Sequence, residues 1–228
     1  MENWIASPLE IDDFLIDSFR DLREDLDNGN FSEAMLKSMQ FGCKGYKRNR
    51  NPFCLTELFL HQHPEEVCFL LSTLVKNDIR SYFEIGVESG GFLFLVDSFI
   101  RVFNSNYDSC GGIDKTTDHP YLEKYLNEYI SKKSNDFKIL NGNCFGHTPE
   151  KKYDFLFIDN NIRKVENMLN CFNLYLPHVN KIIGFHDIND PKMAAQGTVA
   201  ELEKIYRVER FCNSSAGIGL VFINEEKS

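Results

Sequence analysis

The sequence predicts an α/β fold: a mostly parallel sheet covered by helices on both faces, closed by an antiparallel hairpin and preceded by a helical extension. Three observations carry this. From residue 81 onward, short apolar runs alternate with stretches of helical period, as parallel strands and crossover helices do. The last two runs, 207–212 and 216–223, are separated by little more than Asn213, Ser214 and Ser215, the mark of a hairpin. The length of 228 residues, 43% hydrophobic and 26% charged, suits one such domain with a short extension.

In chain order, Ser7, Pro8 and Glu10 offer an N-cap hydroxyl, a proline at the first helical position and a carboxylate that reaches back to the cap. Ile11, Leu15, Phe19, Leu22 and Leu26 then fall on one helical stripe, ended by Asp27, Asn28, Gly29 and Asn30. Residues 41–52 are a glycine-containing basic loop with Lys44, Tyr46, Lys47, Arg48 and Arg50. A second helix starts after Pro64 and buries Val67, Leu70, Leu71 and Leu74. Strand 81–86 follows, then a glycine turn and an apolar helix over 91–103. Residues 109–114 form a second strand and 121–130 a helix. Buried strands are expected at 137–140, 154–158 and 181–185. Val165, Met168, Leu169, Phe172 and Leu176 make the helix between the last two. A final helix spans 197–206, with Val199, Leu202 and Tyr206 on one face, and the hairpin closes the chain.

The balance of 25 Lys+Arg against 34 Asp+Glu gives a net charge of −9, which argues against a nucleic acid as partner. Uncharged runs such as 67–75 are about half the length of a membrane span, and no secretory signal is expected. The cysteines at 43, 54, 68, 110, 144, 171 and 212 are scattered and contain no C-x-x-C, so a reducing, cytoplasmic setting is expected rather than a disulfide framework or zinc cage.

In such a sheet ligands bind beyond the carboxyl ends of the strands. Four constellations fall there. Glu84, Gly86, Val87, Glu88, Ser89, Gly90 and Gly91 follow the first strand and open a helix, and the glycines allow a tight turn with a ligand against the backbone. A dinucleotide fingerprint needs glycine where Glu88 stands, so a nicotinamide cofactor is opposed. Asp114 ends the second strand, where a carboxylate accepts two hydrogen bonds from a ribose diol. Asn143 and Cys144, after the third strand, offer an amide side chain and a backbone amide to an adenine. Asp159 and the pair His186-Asp187 close two neighbouring strands and make either a divalent-metal site or an acid–base cluster. Each has an ordinary structural counterpart: a glycine turn, a capping aspartate, an Asn-Gly turn, a buried polar network.

An acidic residue two before the first glycine, with the next glycine four later, is the signature of S-adenosylmethionine binding. Together with Asp114, the segment 153–159, the helix ending at 174–177 and the segment 184–188, it makes the chain resemble a class I S-adenosylmethionine-dependent methyltransferase. The pattern is similar to the macrolide-sugar and rhamnosyl O-methyltransferases and the cephalosporin-hydroxylase-like proteins, over roughly residues 62–223. The resemblance implies a Rossmann-like seven-strand sheet, S-adenosyl-L-methionine as cofactor, transfer to a hydroxyl of a sugar, glycan or other small acceptor, and in many members bound Mg2+. Carried across, Glu84, Gly86, Val87, Glu88, Ser89, Gly90, Asp114, Asn143, Cys144 and Asp159 bind the cofactor, and Asp159, His186 and Asp187 hold the metal. The family usually has an acidic residue where this chain has His186, a departure from the hard-oxygen set magnesium prefers. Its histidine base a few residues past Asp159 is replaced by Asn160, Asn161 and Ile162.

A sugar hydroxyl is hardly ionised near neutral pH, so His186 is expected to act as base, worth about 10²–10⁴-fold, or as third metal ligand, with Asp159 and Asp187 positioning the acceptor or its metal. His119 and His147 lie on the loops after strands two and three, where a displaced base would sit. His61 and His63 flank Gln62 and are expected to begin a helix, and the basic loop is either solvated or a lid. Residues 1–60 are expected to form a separate extension from the domain 61–228, either covering the substrate or joining two copies. The competing readings are a catechol-type methyltransferase and a cofactor-binding module without activity.

Overall fold

The computed structural model describes residues 20–25, 28, 30, 62–88, 90–115 and 137–226. The basic loop 41–52, His61, Ser89, His119, the helix at 121–130 and most of the first predicted helix lie outside these. Of that first helix, residues 20–25 are helical, and Leu22 is fully buried in the core.

Beyond it, the described residues form α1 (Pro64–Lys76), β1 (Ser81–Ile85), α2 (Gly91–Phe103), β2 (Ser109–Asp114), β3 (Phe137–Asn141), β4 (Tyr153–Ile158), α3 (Val165–Tyr175) with a 3-10 turn at Leu176–His178, β5 (Val179–His186), α4 (Ala195–Leu202), β6 (Tyr206–Phe211) and β7 (Ile218–Glu226). The strands form one seven-stranded sheet in the order β3-β2-β1-β4-β5-β7-β6. All pairs are parallel from β3 through β5, and β7 runs antiparallel to both β5 and β6. This is the predicted Rossmann-like sheet with its terminal hairpin.

Period-two alternation sorts the strands between two cores. Tyr82, Phe155 and Phe157 face one layer with Leu70, Leu71, Phe92 and Leu93. Phe83, Ile85, Leu156 and Ile158 face the other with Phe172, Tyr175 and Val199. Helix α1 carries the predicted apolar stripe, and α2 is buried from Phe92 to Ile100.

Two predicted elements are corrected. The run at 137–140 is not a buried strand: β3 is a sheet edge where only Phe137 is buried, and that position leaves Lys138 exposed. The last helix ends at Leu202 rather than 206. Its final bonds tighten to the i−3 carbonyl, as from Lys204 to Glu201 and Ile205 to Leu202. Tyr206 then enters β6 and meets the apolar layer from a strand, its ring 6.0 Å from that of Phe172.

Register positions the site. Ile85 lies opposite Ile113 on one side and Ile158 on the other, Ile158 lies opposite Phe185, and Asp114 opposite Asn141. The next residues, Gly86, Asp159 and His186, therefore line up with Asp114 along the carboxyl edge of the sheet. The chain reverses direction of winding between β1 and β4, where a crevice opens.

Candidate functional site

The crevice is a cavity of about 710 Å3. Gly86, at φ 95°, begins the turn after β1, and a Cβ there would lie 1.7 Å from the backbone oxygen of Asp159. Only glycine lets β1 and β4 end this close together. Gly90, at φ 82°, caps α2, and its amide donates to the Val87 carbonyl at 2.8 Å. Glu88 adopts φ 47°, left-handed backbone in a residue with a Cβ, as strained loops at sites do. Its amide donates to Asp114 Oδ2 at 2.7 Å, so the second strand's terminal carboxylate is tied to the first strand's turn.

Gly86, Glu88, Asp114, Asn143, Cys144, Asp159, His186 and Asp187 line the cavity. Glu84, Val87 and Gly90 do not: they build the turn from behind. Glu84 is 2% exposed, receives the Tyr82 hydroxyl on Oε2 at 3.0 Å, and is pushed well above the carboxylate range by burial, reinforced by the charge of Asp159. Asn143 turns its Oδ1 back to the Phe145 amide at 3.1 Å. The thiol of Cys144 is drawn down to about 7, first by its contact with Cys171. His147 is not among the lining residues; its ring lies over Gly142, where a Cβ would be 2.4 Å from His147 Cδ2. His63 caps α1, with Nε2 2.9 Å from Ser215 Oγ, in keeping with the helix-start reading.

Sequence reasoning missed four residues. Lys115 and Phe145 line the cavity directly after Asp114 and Cys144, and Phe145 is 46% exposed, an aromatic offered to solvent. Gln62 and Glu66 reach the site from the start of α1. Gln62 Nε2 donates to Asp159 Oδ2 at 2.7 Å. Glu66 Oε2 lies 3.2 Å from His186 Nε2, while His186 Nδ1 lies 3.1 Å from Asp159 Oδ1 and 3.7 Å from Asp187 Oδ1. Burial opposes a charge on His186, but Asp159 and Glu66 outweigh it, and the imidazole is raised well above its ordinary range. Burial likewise opposes ionisation of Glu66, yet His186, Ser214 and the His63 amide bring it down to about 2. Asp187 sits at φ 60°, a second strained residue at the same edge.

The donor set can hold a divalent ion. One oxygen each from Asp159 and Asp187 and one His186 nitrogen lie within 4.8 Å of one another. Ligand atoms sharing an ion at about 2.1 Å sit roughly 3–3.5 Å apart, close to the 3.1 and 3.7 Å observed.

No family profile matches the chain and no curated protein matches it in sequence. Solved structures do. A Podospora anserina methyltransferase bound to S-adenosylhomocysteine superposes with a TM-score of 0.55 at 12% identity, covering 77% of this chain and 83% of that one. An O-methyltransferase from Bacillus cereus, in complex with S-adenosylhomocysteine, gives 0.52 at 13%, covering 97% and 98%. The O-methyltransferase NovP gives 0.53 at 12%, covering 69% and 78%. The sheet order, the terminal hairpin and these likenesses establish the class I methyltransferase fold.

Proposed function

We propose that the chain is an S-adenosylmethionine-dependent O-methyltransferase whose acceptor is a hydroxyl of a sugar, glycan or glycosylated small molecule. The observation that carries the reading is Asp114, held by the Glu88 amide at the cavity edge where a ribose diol would meet it. The fold shared with proteins solved around S-adenosylhomocysteine supports it. The net charge of −9 disfavours a nucleic acid as acceptor, and no helix among the described residues is long and apolar enough to cross a membrane. The described cysteines are free thiols, which suits the cytoplasm.

Methyl transfer from a sulfonium is an in-line displacement, so much of the catalysis is alignment. Gly86, Glu88 and Asp114 would hold the nucleoside at the β1–β2 end of the cavity. Asp159 and Asp187, at the β4–β5 end, position the acceptor hydroxyl. A divalent cation held by Asp159, His186 and Asp187 would supply Lewis-acid activation of that hydroxyl. With Glu66 accepting from Nε2 and Nδ1 turned to Asp159, His186 acts by holding Asp159 in place, or through Nδ1 as the third ligand of that cation, rather than by taking a proton from the acceptor.

Calorimetry with S-adenosylhomocysteine and NAD, then labelled-donor assays on sugar nucleotides, rhamnosides and catechols, test the reading. Heat with the thioether nucleoside alone and label on a sugar are expected. Label on catechols only moves the acceptor to small phenols, binding without transfer makes the chain a cofactor-binding module, and no heat ends the reading. Wild-type turnover in both His186→Ala and Asp187→Ala would remove those residues from the mechanism.

A further inference from the structure

Glu66 is the most constrained carboxylate of the site. It is fully buried. Its Oε1 receives the Ser214 hydroxyl and, at 2.9 Å, the Gly217 amide. Its Oε2 receives the His63 amide at 2.8 Å and faces His186 Nε2. Three donors already point at its two oxygens, so His186 Nε2 meets Glu66 as a fourth donor. Nδ1 is the nitrogen turned towards Asp159 Oδ1 and Asp187 Oδ1, and an incoming ion would displace the proton it shares with Asp159 while Nε2 keeps its own. Gln62 performs the matching task on Asp159. By donating to Oδ2 it leaves Oδ1 as the oxygen on the His186 side. Carboxylate–histidine pairs of this kind orient metal-binding imidazoles.

Resting on the methyl-transfer reading of this cleft, we propose that Glu66 and Gln62 are positioning residues that present His186 Nδ1 and Asp159 Oδ1 as ligands. The resulting nitrogen-containing set selects a divalent ion of the manganese-to-zinc series over magnesium. Magnesium favours an all-oxygen octahedron and sheds water reluctantly, whereas imidazole suits the later ions. A single imidazole in the set therefore shifts the preference of two carboxylates that would otherwise suit magnesium. No methyl-transfer step is needed to see the effect.

The test is titration of the metal-stripped protein with Mn2+, Zn2+, Co2+ and Mg2+ by calorimetry, with S-adenosylhomocysteine titrated in parallel. Wild type is expected to bind Mn2+ or Zn2+ at least tenfold more tightly than Mg2+. Glu66→Gln, whose amide must face donors with its own N–H groups, is expected to lose about 10–100-fold in affinity for those ions. It should also shift the visible absorption of the Co2+-loaded protein while leaving S-adenosylhomocysteine affinity unchanged. His186→Asn, which exchanges the nitrogen for an amide oxygen, should erase the preference over Mg2+. If Glu66→Gln does not fold, wild type and His186→Asn decide. The proposal is overturned if wild type binds Mg2+ as tightly as Mn2+ and Zn2+, if it binds none of the ions while binding S-adenosylhomocysteine, or if a folded Glu66→Gln keeps wild-type metal affinity and spectrum. Loss of S-adenosylhomocysteine binding in wild type would instead count against the methyltransferase reading itself.

Discussion

Asp114 joins two elements, since the carboxylate that ends β2 accepts from an amide of the turn after β1. A ribose diol would add charge-assisted bonds to a group whose orientation is already fixed. Removing such a group costs about 1.5–3 kcal/mol, or roughly 10–100-fold in binding. Asp114→Ala should therefore weaken S-adenosylhomocysteine binding by that factor in calorimetry, and an unchanged affinity would displace it from the proposed cofactor site. Glu84 and Glu66 act on stability with opposite signs. Glu84 is held above its ordinary 4.5 by burial and Asp159, so the folded state keeps a proton that the unfolded chain releases, and stability falls as pH rises past 4.5. Glu84→Gln should flatten that decline in denaturant midpoints measured from pH 5 to 8. Glu66, lowered to about 2 against its burial by His186, contributes stability that is complete above 4.5 and lost as pH falls towards 2. The shift corresponds to about 3 kcal/mol at most, and it should be missing from the acid limb of Glu66→Gln. Equal acid limbs in the two proteins would exclude that contribution.

At the scale of elements, the turn after β1 depends on what lies beneath it. Gly112 of β2 has no room for a side chain: a Cβ would be 2.4 Å from Val87 Cγ2 and 3.0 Å from the Glu84 carbonyl. Gly112→Ala should push the turn outward at a cost of about 1–3 kcal/mol, seen as a lower thermal midpoint and weaker S-adenosylhomocysteine binding together. A lower midpoint with full affinity would mean that the turn and the pocket are not coupled. The sequence revealed those strands because apolar runs such as 154–158 have one reading in a parallel sheet, and it revealed Gly86 and Asp114 because a turn and a strand end are local facts. It misjudged 137–140 because an apolar run does not say whether a second neighbour covers the strand. Tyr206 misled because its spacing from Leu202 suits a helix, while Phe172 is reached equally well from a strand. Gln62 and Glu66 were illegible as site residues. Their partners Asp159 and His186 lie 97 and 120 positions away, and only the sheet order brings the start of α1 to the ends of β4 and β5. From sequence they read only as the beginning of a helix, which they also are.

For the whole molecule, the cavity is, among the described residues, an assembly of five strand ends, β1 to β5. Gly86, Asp114, Asn143 and Asp159 follow or end β1, β2, β3 and β4, so a ligand touching all four bridges every parallel strand from the edge to the switch point. An unfolded chain offers none of these together, so binding adds fully to the stability of the fold. At a hundredfold excess over the dissociation constant the gain is about 2.7 kcal/mol. For a domain of this size each kcal/mol moves the thermal midpoint by about 2–4 °C, so S-adenosylhomocysteine should raise it by roughly 5–10 °C. NAD should leave it where it was, because Glu88 stands where the dinucleotide fingerprint needs glycine. Asp114→Ala, compared at the same ligand concentration, should keep about half of the rise or less, since a 10–100-fold weaker site gains about 1.3–2.3 kcal/mol less. A midpoint indifferent to S-adenosylhomocysteine would mean that the strand ends meet without forming its site. The class I methyltransferase fold would then stand without its cofactor.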